Sequence, residues 1–217
     1  MFIEQLKTKP VSLLKYLPFP LMFFAFMGFN YVATLASDIN TNEVIEKLIS
    51  QLGKNITFVI TVIPLSMLCL FLLFWVKIFH KQTITSLTTG RSKIDFKRIV
   101  FSFSLWAIFL ITVMTIQYLM SPSDFKVIFN PIPFIILLVL AVILIPLQTS
   151  FEEYLFRGYL MQGLGLATKN KWFPLVFTSV FFGLLHIAIP EVDAFGYEML
   201  VFYIGTGFFL GIITLMD

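Results

Sequence analysis

Long apolar stretches alternate with short polar ones along the chain. Six of them run at roughly 18–37, 56–79, 99–120, 132–150, 173–189 and 197–216. A helix rises about 1.5 Å per residue, so about 20 apolar residues cross a hydrocarbon core of about 30 Å. Each stretch therefore predicts a membrane-spanning helix. Together they predict an all-α, polytopic transmembrane bundle of about six spans. The second stretch is the cleanest: between Ile56 and Phe79 its only charge is Lys77, close enough to the end to snorkel to the interface. Between Asp38 and Asn55 the pattern changes. Val44, Ile45, Leu48, Ile49 and Leu52 form one stripe, with Glu43, Glu46 and Lys47 off it. That pattern predicts a short amphipathic helix along the outer interface.

Composition agrees with a bilayer setting. Hydrophobic residues make up 59% of the 217 and charged residues 12%, with 27 Phe and a mean hydropathy of +0.94. A soluble domain has about twice that share of charge. The net charge of +3 is small, so nucleic acid is not an expected partner and membrane lipid is. The first stretch is read as a retained span. It is longer than the usual signal-peptide core, and only the weak Thr34/Ala36 pair suggests a cleavage site. With a cytoplasmic amino terminus and alternating helices, Lys7, Lys9, Lys15, Lys77, Lys81, Arg91, Lys93, Lys97, Arg98, Arg157, Lys169 and Lys171 fall inside. Only Lys47, Lys54 and Lys126 fall outside. This bias predicts an integral, multi-pass protein of the cell membrane with its amino terminus in the cytoplasm. For the basic loop 81–98, topology signalling is the first reading and anionic-lipid binding a lesser one. Cys69 is the single cysteine, so it reads as a small buried apolar side chain.

Ionisable residues inside apolar helices are costly and point to function. Glu152, Glu153 and Arg157 lie within six residues, directly after the apolar run that ends near 150. Glu153 and Arg157 are four apart with Glu first, the favourable order for a helical ion pair. Removing Arg157 would strand Glu153 near the membrane. Glu152 points about 100° away and has no helical cation at its own i+4 position, which is Phe156. It is left as a free carboxylate that can act as a base or bind a cation; an interfacial salt-bridge cluster that ends a helix is the bland alternative. The next stretch carries His186 among Leu184, Leu185, Ile187 and Ala188, well inside a predicted span. A packing histidine is the usual reading there. Against it, this is one of two histidines, and Gly183 permits close helix approach. A carboxylate and an imidazole from successive helices can hold a water or a zinc-like metal. His80, beside Lys77 and Lys81, reads as interfacial.

Glu152-Glu153-x-x-x-Arg157, followed by Phe182-x-x-x-His186, resembles the first two motifs of the CAAX protease and bacteriocin-processing (CPBP, or abortive-infection) family of intramembrane endopeptidases. The resemblance covers about residues 130–217. Residues 1–131 match only as a variable transmembrane lead-in, with 132–217 as the catalytic core. It implies that Glu152 activates a water that attacks a peptide carbonyl. Glu153 and Arg157 would shape the site or stabilise the oxyanion, and His186 would help hold the water or a metal. Zn or another divalent ion is the implied cofactor, with His186 and Glu152 as its ligands. A membrane-associated or lipidated peptide is the implied substrate; oligomeric state is not implied. The family's later motif, a second His followed by Asn or Asp on a further helix, has no counterpart after His186. The core is therefore expected to be incomplete at its carboxy-terminal end, without the family's last helices, or to have lost catalysis.

Three functional classes follow: an intramembrane endopeptidase, a non-catalytic membrane adaptor on the same fold, and a small transporter using the Glu pair. The chain shows no inverted repeat or pair of broken helices, so the transporter ranks last.

Overall fold

The computed structural model describes residues 2, 13–36, 41–187, 192 and 195–217. They are mostly helical, with no strand among the described residues. In chain order the helices are α1 (Leu13–Tyr16), α2 (Pro18–Ala36), α3 (Thr41–Leu52), α4 (Lys54–Phe79), α5 (Ile84–Thr88) and α6 (Phe96–Met120). After them come α7 (Pro131–Glu153), a π-helical segment (Tyr154–Leu160), α8 (Met161–Thr168), α9 (Trp172–Leu184) and α10 (Glu198–Met216). Every predicted span coincides with an apolar helix, and α3 is the predicted amphipathic one. By length and apolarity, α4, α6, the run Pro131–Thr168 and α10 can each cross a membrane, whereas Pro18–Ala33 and Trp172–Leu184 are shorter apolar helices.

Two boundaries differ from the sequence expectation. The fourth stretch does not end near 150: one helical run of 38 residues continues to Thr168, about 57 Å long at 1.5 Å per residue. The helix of the fifth stretch, α9, stops at Leu184, and Leu185–Ile187 form a turn.

Helices α4 and α7 run parallel. Asn55 Nδ2 donates to the Pro133 carbonyl at 3.0 Å, and Ser66 Oγ to the Leu144 carbonyl at 3.0 Å. Beyond α7 in the same direction, His80 Nε2 meets the Tyr159 hydroxyl at 2.9 Å. The offset between the chains is 78, 78 and 79 residues at these three points. Phe151, Leu155, Phe156, Tyr159 and Leu160 form the centre of the main core with Phe19, Phe23, Leu72 and Val76. Cys69 is buried in that cluster, as the sequence suggested.

His80 is not a simple interfacial residue. Its ring packs on Tyr16 at 4.3 Å between centroids. The buried Tyr159 hydroxyl accepts from Trp75 Nε1 at 3.2 Å and donates to the Lys15 carbonyl at 3.2 Å. With its one proton used there, it accepts from His80, so Nε2 of that ring carries the hydrogen. Burial, and then the charge of Lys15, hold the His80 pKa below the usual histidine range, against an opposing backbone hydrogen bond at Lys15.

Helices α9 and α10 pack antiparallel through small residues. A Cβ on Gly183 would lie 2.3 Å from Ile204 Cγ1, one on Gly207 would lie 3.0 Å from Ser179 Cα, and one on Gly211 would lie 2.5 Å from Leu175 Cδ1. The small-residue pairs Ser179/Gly183 and Gly207/Gly211 thus face each other, which lets two membrane helices approach closely. The obstacle at Gly207 is backbone, which cannot yield. Gly207→Val is expected to destabilise the fold by about 1–3 kcal/mol. Gly205→Ala, whose Cβ would meet nothing within 4 Å, should be neutral. Denaturant midpoints in detergent check this; equal midpoints for the two variants would count against the packing.

The far end of α10 is tied to the loop before α6. Asp217 accepts from the Gly90 N–H at 2.8 Å and from Arg91 Nε at 2.9 Å. Burial pushes the Asp217 carboxyl up, but hydrogen bonds from Thr89, Gly90 and Arg91 outweigh it and hold its pKa below 3.8.

Candidate active site

The motif begins in the last turn of α7. Six residues in a row, Leu155 to Leu160, are buried, so the segment is core on every side. Its backbone opens into π-helical turns, with the Met161 N–H reaching back to the Phe156 and Gly158 carbonyls. Such bulges are rare and frequently mark functional sites.

Glu152 is half-buried and is not left free as its sequence neighbours suggested. Gln148, one turn earlier, places Nε2 3.3 Å from its Oε1. The partner is a neutral amide, so the carboxylate is oriented without being neutralised by it. Glu153 pairs with Arg157 as expected, Oε1 to Nη1 at 3.0 Å. The two side chains are unequal: Arg157 is 3% exposed and Glu153 42%. The contact is an ion pair without an aligned hydrogen bond, and neither Nη1 nor Nη2 finds a hydrogen-bond partner among the described residues. Instead the guanidinium lies over the Phe182 ring, 4.2 Å from its centroid.

Phe182 joins the two motifs. Its ring carries Arg157, and its carbonyl meets His186 Nδ1 at 2.7 Å. His186 sits in the turn past the end of α9, not within a span. Its own N–H bonds the Gly183 carbonyl at 3.0 Å, so the imidazole supplies the Phe182 carbonyl with the donor that a continuing helix would have given. A carbonyl can only accept, so Nδ1 holds a hydrogen. The opposite partner is Tyr203 of α10, stacked at 4.1 Å and 15°.

Sequence reasoning missed Gln148, Tyr203 and the bridging role of Phe182. Gln148 stood four residues before Glu152 and was open to view. Tyr203 carries no local signal. Glu198 opens α10; Glu191 and Asp193 lie outside the described residues.

A cavity of about 330 Å³ adjoins the motif, lined by Glu153, Arg157, Thr149, Ser150, Tyr154 and Thr214 among others. Neither Glu152 nor His186 lines it. No group of three or more His, Cys, Asp or Glu side chains that could hold a metal ion occurs among the described residues. A zinc centre takes three or four such ligands. Glu152 and His186 do not make up that set, and the Arg157 cation stands against the Phe182 ring that also packs on His186. The described donors do not fit a zinc centre.

The type II CAAX prenyl endopeptidase Rce1-like family model matches residues 130–217, which contain all of these groups. The carboxy-terminal segment of the chain is thus similar to this family. An uncharacterized protein of Bacillus subtilis (strain 168), YyaK, is 38% identical over 119 residues, which is 54% of this chain and 40% of the relative. The chain thus spans about 40% of the length of that relative. No solved structure matches. Within the Rce1-like segment, the Glu-Glu-x-x-x-Arg turn and the Phe-x-x-x-His turn are adjacent in space, joined at Phe182.

Proposed function

We propose that this chain carries an intramembrane endopeptidase site of the CAAX type, with its amino terminus in the cytoplasm. One observation carries the reading: two sequence motifs some thirty residues apart meet at Phe182, which holds Arg157 on its ring and His186 on its carbonyl. The Arg157–Phe182 contact supports reading the two motifs together.

In this reading Glu152 is the general base. Gln148 orients it, and it takes a proton from a water that attacks the scissile carbonyl. His186 accepts a hydrogen bond from that water through Nε2. The Glu153–Arg157 pair, packed under Phe182, shapes the site and keeps the π-helical turns in place. The substrate is a membrane-associated or lipidated peptide, brought to the site through the bilayer surface.

The test is direct. The purified chain is reconstituted in liposomes and given a farnesylated peptide ending in Cys-Val-Ile-Met. The expected product, read by mass spectrometry, is the peptide cut after its prenylated cysteine. Intact peptide at every enzyme loading would instead favour an adaptor on this fold.

A further inference from the structure

We propose that Tyr203 is a positioning residue for His186, fixing the imidazole in one orientation and one tautomer; this rests on the hydrolase reading above. The device starts at a glycine. Any Cβ at position 183 would sit 3.1 Å from the Ile204 nitrogen as well as against its side chain. Only glycine lets the α10 backbone come so near, three residues before the histidine. The close approach at Ile204 brings the preceding residue, Tyr203, onto the turn that follows α9.

There the rings lie nearly parallel, with centroids 4.1 Å apart. Phe182 supplies a second ring at 4.7 Å and 54°, and its carbonyl takes the Nδ1 hydrogen. Each contact removes a different freedom. The hydrogen bond sets the tautomer and the rotation within the ring plane. The Tyr203 face resists tilting out of that plane; a tilted ring loses the hydrogen bond to Phe182, so removing the face also releases the tautomer. His186 lies in the turn after α9, where its backbone N–H bonds the Gly183 carbonyl, so its ring is oriented by side-chain contacts such as these. Catalytic groups displaced by about 1 Å can lose about 100-fold in rate, so the ring's orientation matters to any role for Nε2.

The stacking uses the aromatic face and not the hydroxyl, which separates two substitutions. Tyr203→Phe keeps the face and Tyr203→Leu removes it. The full chain is labelled with ¹⁵N-histidine in detergent and its imidazole tautomers are read by NMR. With two histidines in the sequence, and His80 expected as the Nε2–H form, the signals are separable. Turnover of the farnesylated Cys-Val-Ile-Met peptide is measured beside it.

The parent and Tyr203→Phe should both show Nδ1–H at His186 and kcat values within about threefold of each other. Tyr203→Leu should show tautomer averaging and a kcat lowered roughly 10–100-fold, with KM nearly unchanged. Three results overturn the proposal: an Nε2–H form at His186 in the parent, an unchanged signature and kcat in Tyr203→Leu, or a Phe variant as impaired as the Leu one. The first needs no variant to fold. A parent with the Nδ1–H form but no cleavage defeats the hydrolase reading and leaves the clamp standing.

Discussion

Glu152→Gln is expected to lower kcat on the farnesylated peptide by roughly 10²–10⁴-fold, the usual contribution of a general base. Helix content by circular dichroism and membrane insertion should not change. The substitution is nearly isosteric. An amide at 152 still offers an oxygen to Gln148 Nε2, so the local hydrogen bond at 3.3 Å has a replacement. What disappears is basicity alone. Gln148→Leu removes only the orienting donor and should cost less, about tenfold, with the base still present. The order of the two losses is informative. If Glu152→Gln turns over like the parent, Glu152 is not the base, whatever Gln148 does.

The second large effect is on stability. Glu153→Ala is expected to cost about 3 kcal/mol, more than Arg157→Met, which should cost about 1 kcal/mol. The sequence alone pointed the other way, to Glu153 as the charge that loss of its partner would strand. Burial reverses the ranking. Arg157 is 3% exposed and Glu153 42%. Losing the glutamate strands a buried guanidinium whose Nη atoms already lack aligned hydrogen bonds among the described residues. Losing the arginine leaves a carboxylate that is 42% exposed and lines the adjoining cavity, and Met refills most of the space beside Phe182. Combining Arg157→Met with Glu153→Ala should therefore recover much of the loss of Glu153→Ala alone. Denaturant midpoints in detergent decide it. A double variant less stable than either single one would mean that the pair is not the coupled unit described here.

Much of the fold was legible because a bilayer imposes a simple rule of length and apolarity. The six apolar stretches are six helices for that reason. Boundaries failed where polar residues were taken as ends. Glu152, Glu153 and Arg157 suggested that α7 stops near 150. The helix instead continues, because its polar side chains find partners within the bundle. Gln162, for instance, accepts from Gln82 at 2.8 Å and donates to the Ser86 carbonyl at 2.8 Å. The opposite error occurred at His186, where an unbroken apolar run was read as helix. The predicted span already ended directly before Pro190, but the helix stops five residues earlier, at Leu184. At Gly183 the expectation of close approach held. The pairs Ser179/Gly183 and Gly207/Gly211 are spaced small residues that the sequence displays openly.

Of the site, the Glu153–Arg157 pair was legible because it is local and helical. The bridge through Phe182 was not, because it joins residues 25 apart through a ring face, a contact with no spacing signature. The same holds for Tyr203 on His186 and for the Tyr159 cluster around His80.

The two motifs are held to work as one site, and a kinetic double-mutant cycle on Glu152→Asp and His186→Gln asks this most directly. Residues that act as a unit are strongly non-additive in their losses. The expected result is a double variant with kcat/KM within about threefold of the poorer single variant. Losses that multiply would show two independent groups, and the single shared site would be wrong.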